Sequence, residues 1–293
     1  MTTQIATNIL NTAALYLLIA VGFGLIYGTV RFFNFAHASV YTVSAYVAYA
    51  AANLIGGSVL FNGVLGVLSG TLLGGLTEVV VYRPLRRIGA SSVVLLITSL
   101  GILLVLQNAL SLLFGDDTKS LQSVASAGHV VDFLGSRITP VQVVLLGSAV
   151  GASVLLAVGL RLTRLGTVLR AVANDSSLAQ SVGIDVDGAV LASFLIGSAL
   201  AGIGGVLWAY NTALNPQMGF TALLMGVVAA VIGGVGSVSG AIAGAIFVAV
   251  TQQIGMWFFP SEWQDVIVFP ILLLFLLVRP QGFFGKPLKK ATI

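Results

Sequence analysis

The sequence predicts an all-α polytopic membrane protein with eight to nine transmembrane helices, its N-terminus outside and its C-terminus cytosolic. Three observations carry this. Hydrophobic residues make up 58% of the chain and charged residues 8%, with a mean hydropathy of +1.07, whereas a water-soluble globule carries roughly 25% charged residues. Apolar runs of about 20 residues, the length an α-helix needs to cross a bilayer core, recur along the whole chain between short polar turns, which excludes a β-barrel. Glycine accounts for 35 of 293 residues, against an ordinary share of about 7%, and the excess sits inside the apolar runs, where small residues let helix backbones approach.

Nine apolar segments follow in order: Ile9 to Val30, Ser39 to Leu54, Val59 to Tyr82, Val93 to Phe114, Thr139 to Leu160, Gly188 to Tyr210, Thr221 to Ile232, Gly240 to Phe259 and Trp263 to Val278. The seventh and ninth are short for a full crossing, so the pattern also fits eight spans plus a re-entrant element. Residues 1–293 read as a single transmembrane domain that keeps one polar loop, 161–187, on the cytosolic side. The first 30 residues hold no basic residue, so no positively charged signal peptide is visible.

Charge sets the orientation. With the N-terminus outside, Arg31, Arg83, Arg86, Arg87, Arg161, Arg164, Arg170, Arg279, Lys286, Lys289 and Lys290 fall on one side, 11 of the 13 basic residues, and that side is the cytosol. The opposite side holds Lys119 and Arg137 with Asp116, Asp117, Asp132, Glu262 and Asp265. The net charge of +4 therefore reflects topology and contact with membrane lipid, not nucleic acid. Trp257 and Trp263 fit an outer interfacial belt.

Several kinds of chemistry are excluded. The chain has no cysteine, hence no disulfide, thiolate nucleophile or Cys-ligated metal. Within the spans the one ionisable group is Glu78, which lies just before the basic run Arg83, Arg86, Arg87 and reads as a structural ion pair; ion-coupled carriers carry several such groups. GGVGSVSG (233–240) lacks the third glycine of a dinucleotide fingerprint, since Ser239 stands there, and the Gly285-Lys286 pair is followed by Pro287, so no phosphate loop is present. No cofactor, metal or catalytic residue is predicted.

The glycines read instead as packing sites: Gly236, Gly240 and Gly244 recur every fourth residue, as do Gly66, Gly70 and Gly74, with Gly24 and Gly28 as a shorter case. Asn34 and His37 place an amide and an imidazole at the cytosolic end of the first span. Thr42, Tyr46, Tyr49 and Asn53 then form one stripe of a 3.6-residue helix. Pore lining and interhelical hydrogen bonding account for that stripe equally well. His37 has no second ligand at metal-binding spacing and reads as a hydrogen-bonded structural residue.

In the loop, Gly166 to Ala173 reads as a short helix. Asn174 or Asp175 can cap a second helix, Ser176 to Val182, which Gly183 stops in the left-handed conformation. Leu178 and Val182 share one face of it, an apolar ridge suited to a groove in a partner.

Four motifs in order, GLIYGTVRFFNFAHASVYTVSAYVAY (24–49), RAVANDSSLAQSVGI (170–184), GGVGSVSGAIAGA (233–245) and VRPQGFFG (278–285), resemble the branched-chain amino-acid ABC importer permeases, specifically the LivH-like permease subunit. The resemblance covers nearly the whole chain. It implies a permease subunit of the bacterial inner membrane that pairs with a second homologous permease, two cytosolic ATPase subunits and an extracytoplasmic substrate-binding protein. The helix at 176–182 then corresponds to the coupling element inserted into an ATPase, with Arg170, Asp175, Ser177, Leu178, Ala179, Val182 and Gly183 as contact candidates. Ser177, Leu178 and Ala179 stand where the family pattern begins Glu-Ala-Ala, and Ala38 stands where the family often has glycine. The implied cargo is a branched-chain or other hydrophobic neutral amino acid; urea or short amides are the alternative cargo, and a stand-alone channel or facilitator the alternative of another class.

Overall fold

The computed structural model describes residues 2–121, 131–133 and 136–284. Helix α1, Thr2–Val30, is apolar on every side and runs through the middle of the molecule, packed against most of the other long helices. A helix without a polar face has to be surrounded. Around it stand α2 (Ala36–Leu54), α3 (Val59–Thr77), which continues through a π-helical turn (Glu78–Tyr82) into α4 (Arg83–Arg87), α5 (Ser92–Phe114) and α6 (Pro140–Leu162). The short helices α7 (Arg164–Asn174) and α8 (Ser176–Ser181) lead into α9 (Val186–Asn211), followed by α10 (Met218–Gly233), α11 (Val238–Phe258) and α12 (Val268–Val278).

Six of these elements are long and apolar enough to cross a membrane: α1, the continuous stretch Val59–Arg87, α5, α6, α9 and α11. The second, seventh and ninth predicted segments are the 19-residue α2, the 16-residue α10 and the 11-residue α12. Exposed apolar side chains such as Leu72, Leu104, Leu155 and Leu274 cover the outer faces of α3, α5, α6 and α12.

The ends of the helices follow local chemistry. Ser58, Ser91, Thr139 and Ser237 accept hydrogen bonds from first-turn amides of the helices they precede, and Thr139 with Gln142 forms a reciprocal capping box. Pro84 cannot donate to an i−4 carbonyl, and the π-helical turn before it absorbs that break by letting Arg83 donate to Glu78 five residues back. Two small antiparallel pairs, Lys119–Ser120 with Ala213–Leu214 and Val131–Phe133 with Ser136–Ile138, lie at the end of the bundle where α1 begins. The Arg137 amide donates to Gln4 Oε1 there (2.9 Å). Lys286, Lys289, Lys290 and the Gly285-Lys286-Pro287 sequence lie outside the described residues.

The glycine expectations separate into two groups. A Cβ on Gly66 or Gly70 would run into Ser44 of α2, and one on Gly74 into Ser198 of α9; Gly240 and Gly244 meet the backbone of α10 as closely. Gly236 departs from the predicted helical row: it precedes α11 in a loop, with φ +86°. Gly24 and Gly28 also depart from it, because a Cβ on either would find no atom closer than 3.8 Å. Gly74→Val is expected to lower the thermal midpoint of the detergent-purified protein by the equivalent of roughly 1–3 kcal/mol of overpacking, read by fluorescence-detected gel filtration after heating. Gly24→Ala in the same assay should leave the midpoint unchanged or raise it.

Candidate functional site

The loop at 161–187 folds as two helices clamped between α6 and α9. Thr163 makes the bend: its hydroxyl donates to the Gly159 carbonyl of α6 (2.6 Å) and accepts from the Gly166 amide that opens α7 (2.9 Å). Leu169 and Val172 of α7 are buried in one small apolar cluster with Ala179 of α8 and Ala189 of α9. The cluster makes the loop a packed unit continuous with two long helices.

Asp175 caps α8, accepting at Oδ1 from the amides of Leu178 and Ser177 (both 3.0 Å) and from the Ser177 hydroxyl (2.7 Å). These donors hold its carboxyl below the usual aspartate range, the Leu178 amide contributing most. At the other end Gly183, with φ +86°, donates to the Gln180 carbonyl while Ile184 donates to Ala179 (both 3.0 Å), the paired bonds of a Schellman stop. Between cap and stop, Leu178 is 62% and Val182 71% exposed, whereas Ala179 is 4% exposed. The structure thus corrects one contact candidate: Ala179 seats α8 on α7 and does not face solvent. Arg170 is exposed, its guanidinium within 3.4 Å of the Gly166 carbonyl and the Thr167 hydroxyl.

Ionic contacts tie this unit to the remaining helices. Asp187, in the first turn of α9, pairs with Arg83 (2.9 Å), Arg87 (2.9 Å) and Arg86 (3.5 Å). Arg86 also grips the fully buried Glu78 with both terminal nitrogens, one at 2.8 Å. The Glu78 ion pair foreseen from its position is present, and it belongs to a network joining α3, α4 and α9. Arg31, the one described non-glycine residue with positive φ (56°), donates from Nη2 to the Ala173 carbonyl at the end of α7. The cationic end of α1 is thereby fixed to the carbonyl-rich end of α7.

The substrate-path candidates sit elsewhere. Asn34 is buried and accepts from the Tyr82 hydroxyl (2.8 Å). His37 lies deep in the bundle against α1 and α9, where a Cβ on Gly22 would meet both His37 Nε2 and the Gly197 carbonyl. The hydrogen bond expected of it is not made: neither ring nitrogen has a partner among the described residues. Thr42 donates back to the Ala38 carbonyl and Asn53 to Tyr49. The rings of Tyr46 and Tyr49 pack on Phe114 of α5. The stripe packs α2 against its neighbours, Thr42 against Gly219 of α10 and the two tyrosines against α5, and it ends at the exposed Asn53.

A cavity opens instead where α1, α6, α7, α10 and α11 meet, and none of those six candidates lines it. Gly24, Gly28 and Thr29 supply one wall, Leu156 and Leu160 a second, and the loop Gly234, Gly236, Ser237 a third, with Arg170 and Ala173 at the side of α7. Sequence reasoning assigned Gly24, Gly28 and Gly236 to helix packing and so missed the space they leave. The tail packs beneath the same loop: the amides of Phe283 and Phe284 donate to the Ile232 and Gly233 carbonyls (2.8 and 2.9 Å), satisfying the last turn of α10. At the opposite end of the bundle, the buried Gln252 of α11 donates to Asp265 (2.8 Å); burial pushes the Asp265 carboxyl up.

A buried central helix, lipid-ready outer faces and a polar helical unit confined to one end define a polytopic α-helical membrane permease. A family model described as "Branched-chain amino acid transport system / permease component" matches residues 5–276, and the chain belongs to that family. It is 33% identical over 296 residues to the high-affinity branched-chain amino acid transport system permease protein LivH of Escherichia coli K12, covering 96% of this chain and 94% of that one. It is 31% identical to BraD of Pseudomonas aeruginosa, with 97% and 96% covered, and 28% identical to a probable LivH of Methanocaldococcus jannaschii, with 94% and 90% covered. Among solved structures, "PsaBC from Streptococcus pneumoniae in complex with Fab" superposes with a TM-score of 0.54 at 14% identity, over 96% of this chain and 94% of that one, a likeness of fold alone. The protein is a multi-pass component of the bacterial inner membrane.

The cap on α8 generates a pH prediction. Because the folded Asp175 carboxyl lies below its unfolded value, its contribution is complete above the ordinary aspartate range and fades as pH falls through the depressed value. Amide hydrogen exchange at Ser177 and Leu178, corrected for intrinsic rates, should therefore accelerate on acidification. Asp175→Asn should remove most of that pH dependence while keeping the cap.

Proposed function

We propose that this chain is the permease subunit of an ATP-driven importer for branched-chain or other hydrophobic neutral amino acids, and that α8 is the element through which cytosolic ATPases move it. The supporting observation is the short helix itself: capped by Asp175, stopped by Gly183, exposing Leu178 and Val182, and packed through Ala179 onto elements continuous with α6 and α9. An exposed apolar pair on a rigid two-turn helix suits insertion into a groove of a partner. In this reading residues 1–293 form one domain, the N-terminus is outside, and the end that carries Arg31, Arg83, Arg86, Arg87 and Arg170 is cytosolic. The six long helices are joined by α2, α10 and α12 as further crossing or half-crossing elements, giving eight to nine.

The working complex then holds a second homologous permease, two ATPase subunits and an extracytoplasmic substrate-binding protein. The relatives named for branched-chain amino acid transport support the cargo. ATP binding closes the ATPases; α8 follows them; and α6 and α9 carry the displacement into the bundle. Arg170, Asp175, Ser177, Leu178, Val182 and Gly183 act at the docking surface or set its shape, with Ala179 as its seat.

Leu178→Asp combined with Val182→Asp should abolish co-purification of the ATPase subunits and lower ATP-dependent leucine uptake in proteoliposomes at least tenfold, since a charge in an apolar groove is strongly disfavoured. Uptake left intact would remove α8 from the docking role. Reconstitution of this chain without ATPases should give no flux of leucine or urea; flux would instead establish a channel or facilitator.

A further inference from the structure

The two glycines of α1 that leave room for a side chain, Gly24 and Gly28, need an explanation. Glycine inside a helix is less favourable than alanine, and at Gly24 and Gly28 no steric reason offsets it: a Cβ would sit in ordinary contact with its nearest neighbours at 3.8 Å, the Gly236 amide nitrogen and the Ala173 Cβ respectively. What the missing side chains provide is the cavity between α1, α7 and α11. Its inner walls include Val21, Leu25, Leu156 and Leu160; of the polar residues that line it, Thr29 is bonded to Ser193 (2.8 Å) and Ser237 caps α11, which leaves Arg170 to meet a ligand. An apolar space with a few polar groups at one side is the usual form of a small-ligand site.

Arg170 gives the site its charge. The guanidinium makes long contacts with its own helix, to Gly166 and Thr167, and no ion pair involves it among the described residues. A guanidinium held only by these long bonds beside an apolar chamber suits a carboxylate carried on a short apolar group, because it can donate two parallel N–H bonds to one carboxylate. The start of the 21-residue α11 at Val238, which also borders the cavity, adds the positive end of a helix dipole.

We propose that this cavity is a binding site for a hydrophobic α-amino acid entering from the cytosolic side, its side chain between α1 and α6 and its carboxylate on Arg170. The ammonium group stays at the open mouth, where water solvates it. Because α7 forms one wall and is packed through Leu169 and Val172 onto α8 and α9, an occupant wedges the coupling unit against α1. Import then slows as the cytosolic pool of its own product rises. This inference rests on the importer reading for its orientation and ligand class.

The experiment uses the assembled importer in nanodiscs with photo-leucine, a diazirine analogue of leucine, as the probe. Light should attach it to peptides spanning 20–29 and 156–173. Excess leucine or 4-methylvalerate, which keeps the carboxylate and lacks the ammonium, should suppress labelling, because either pairs its own carboxylate with Arg170. Leucinol, which lacks the carboxylate, should not. Gly28→Leu fills the cavity and should abolish labelling, with Gly24→Leu as the second variant should the first fail to accumulate; Arg170→Gln should remove the preference of 4-methylvalerate over leucinol. In proteoliposomes, leucine preloaded on the ATPase side should slow initial uptake by the parent and not by Gly28→Leu. Labelling of this chain only outside those two peptides, or equal competition by leucinol at them, overturns the site, as does a co-purifying phospholipid whose removal is needed for any labelling there. Uptake by unloaded vesicles separates the two readings: transport without cavity labelling sinks the site and spares the importer, whereas labelling without ATP-dependent transport sinks the importer and leaves a carboxylate site.

Discussion

In hydrocarbon every backbone N–H and C=O must find its partner inside the protein, and that constraint governs both the regular and the irregular parts of this molecule. It makes the spans helical. It also explains how the chain turns after α1. Residues 31–35 are not helical, and their polar groups are met by specific side chains: Ser99 of α5 accepts from the Phe35 amide (3.0 Å) and donates to the Phe33 carbonyl, while the Asn34 side chain is held by Tyr82. The amide-rich motif therefore works as a stitched turn. The terminal motif has the same logic, with Phe283 and Phe284 closing the last carbonyls of α10.

A second theme is that glycine serves two opposed purposes along one chain. In α3 it brings helices together, since Gly66, Gly70 and Gly74 let Ser44 and Ser198 approach the helix backbone, and close packing of this kind replaces the hydrophobic drive that lipid removes. In α1 Gly22 still packs against Gly197 of α9, whereas Gly24 and Gly28 leave open the space beside Arg170. The two uses look identical as a spacing of four residues.

Charge is concentrated where motion would have to enter. Asp187 with its three arginines and the buried Glu78–Arg86 pair lie next to the α7–α8 unit, and Arg31 holds the end of α7. Buried ion pairs add little net stability, because desolvation offsets their attraction, yet removing one partner is costly. Such a network specifies a register between α4 and α9 more than it stabilises the bundle. A displacement of α8 would thus reach α9 directly and α3 through α4.

Much of this was legible from residue order because it depends on neighbours close in the chain. Apolar length predicts spans, and the Asp175 cap and Gly183 stop follow from side chains acting on amides two or three residues away. Glu78 and its arginine are eight positions apart, so that pair was legible too. The remainder depends on what stands opposite, which sequence periodicity does not contain. His37 reads as a hydrogen-bonded residue, but its neighbours are Gly22 and, some 160 positions on, Gly197, and among the described residues neither ring nitrogen has a partner. Ala179 stands among the contact candidates until the fold packs it with Leu169 and Val172. Gly24 and Gly28 follow the packing rule and border a chamber, because α6, α7 and α11 converge there from distant parts of the chain. Helices, caps and membrane class arise from local rules and composition; which face is covered, and where room is left, arises from packing between segments far apart in the chain.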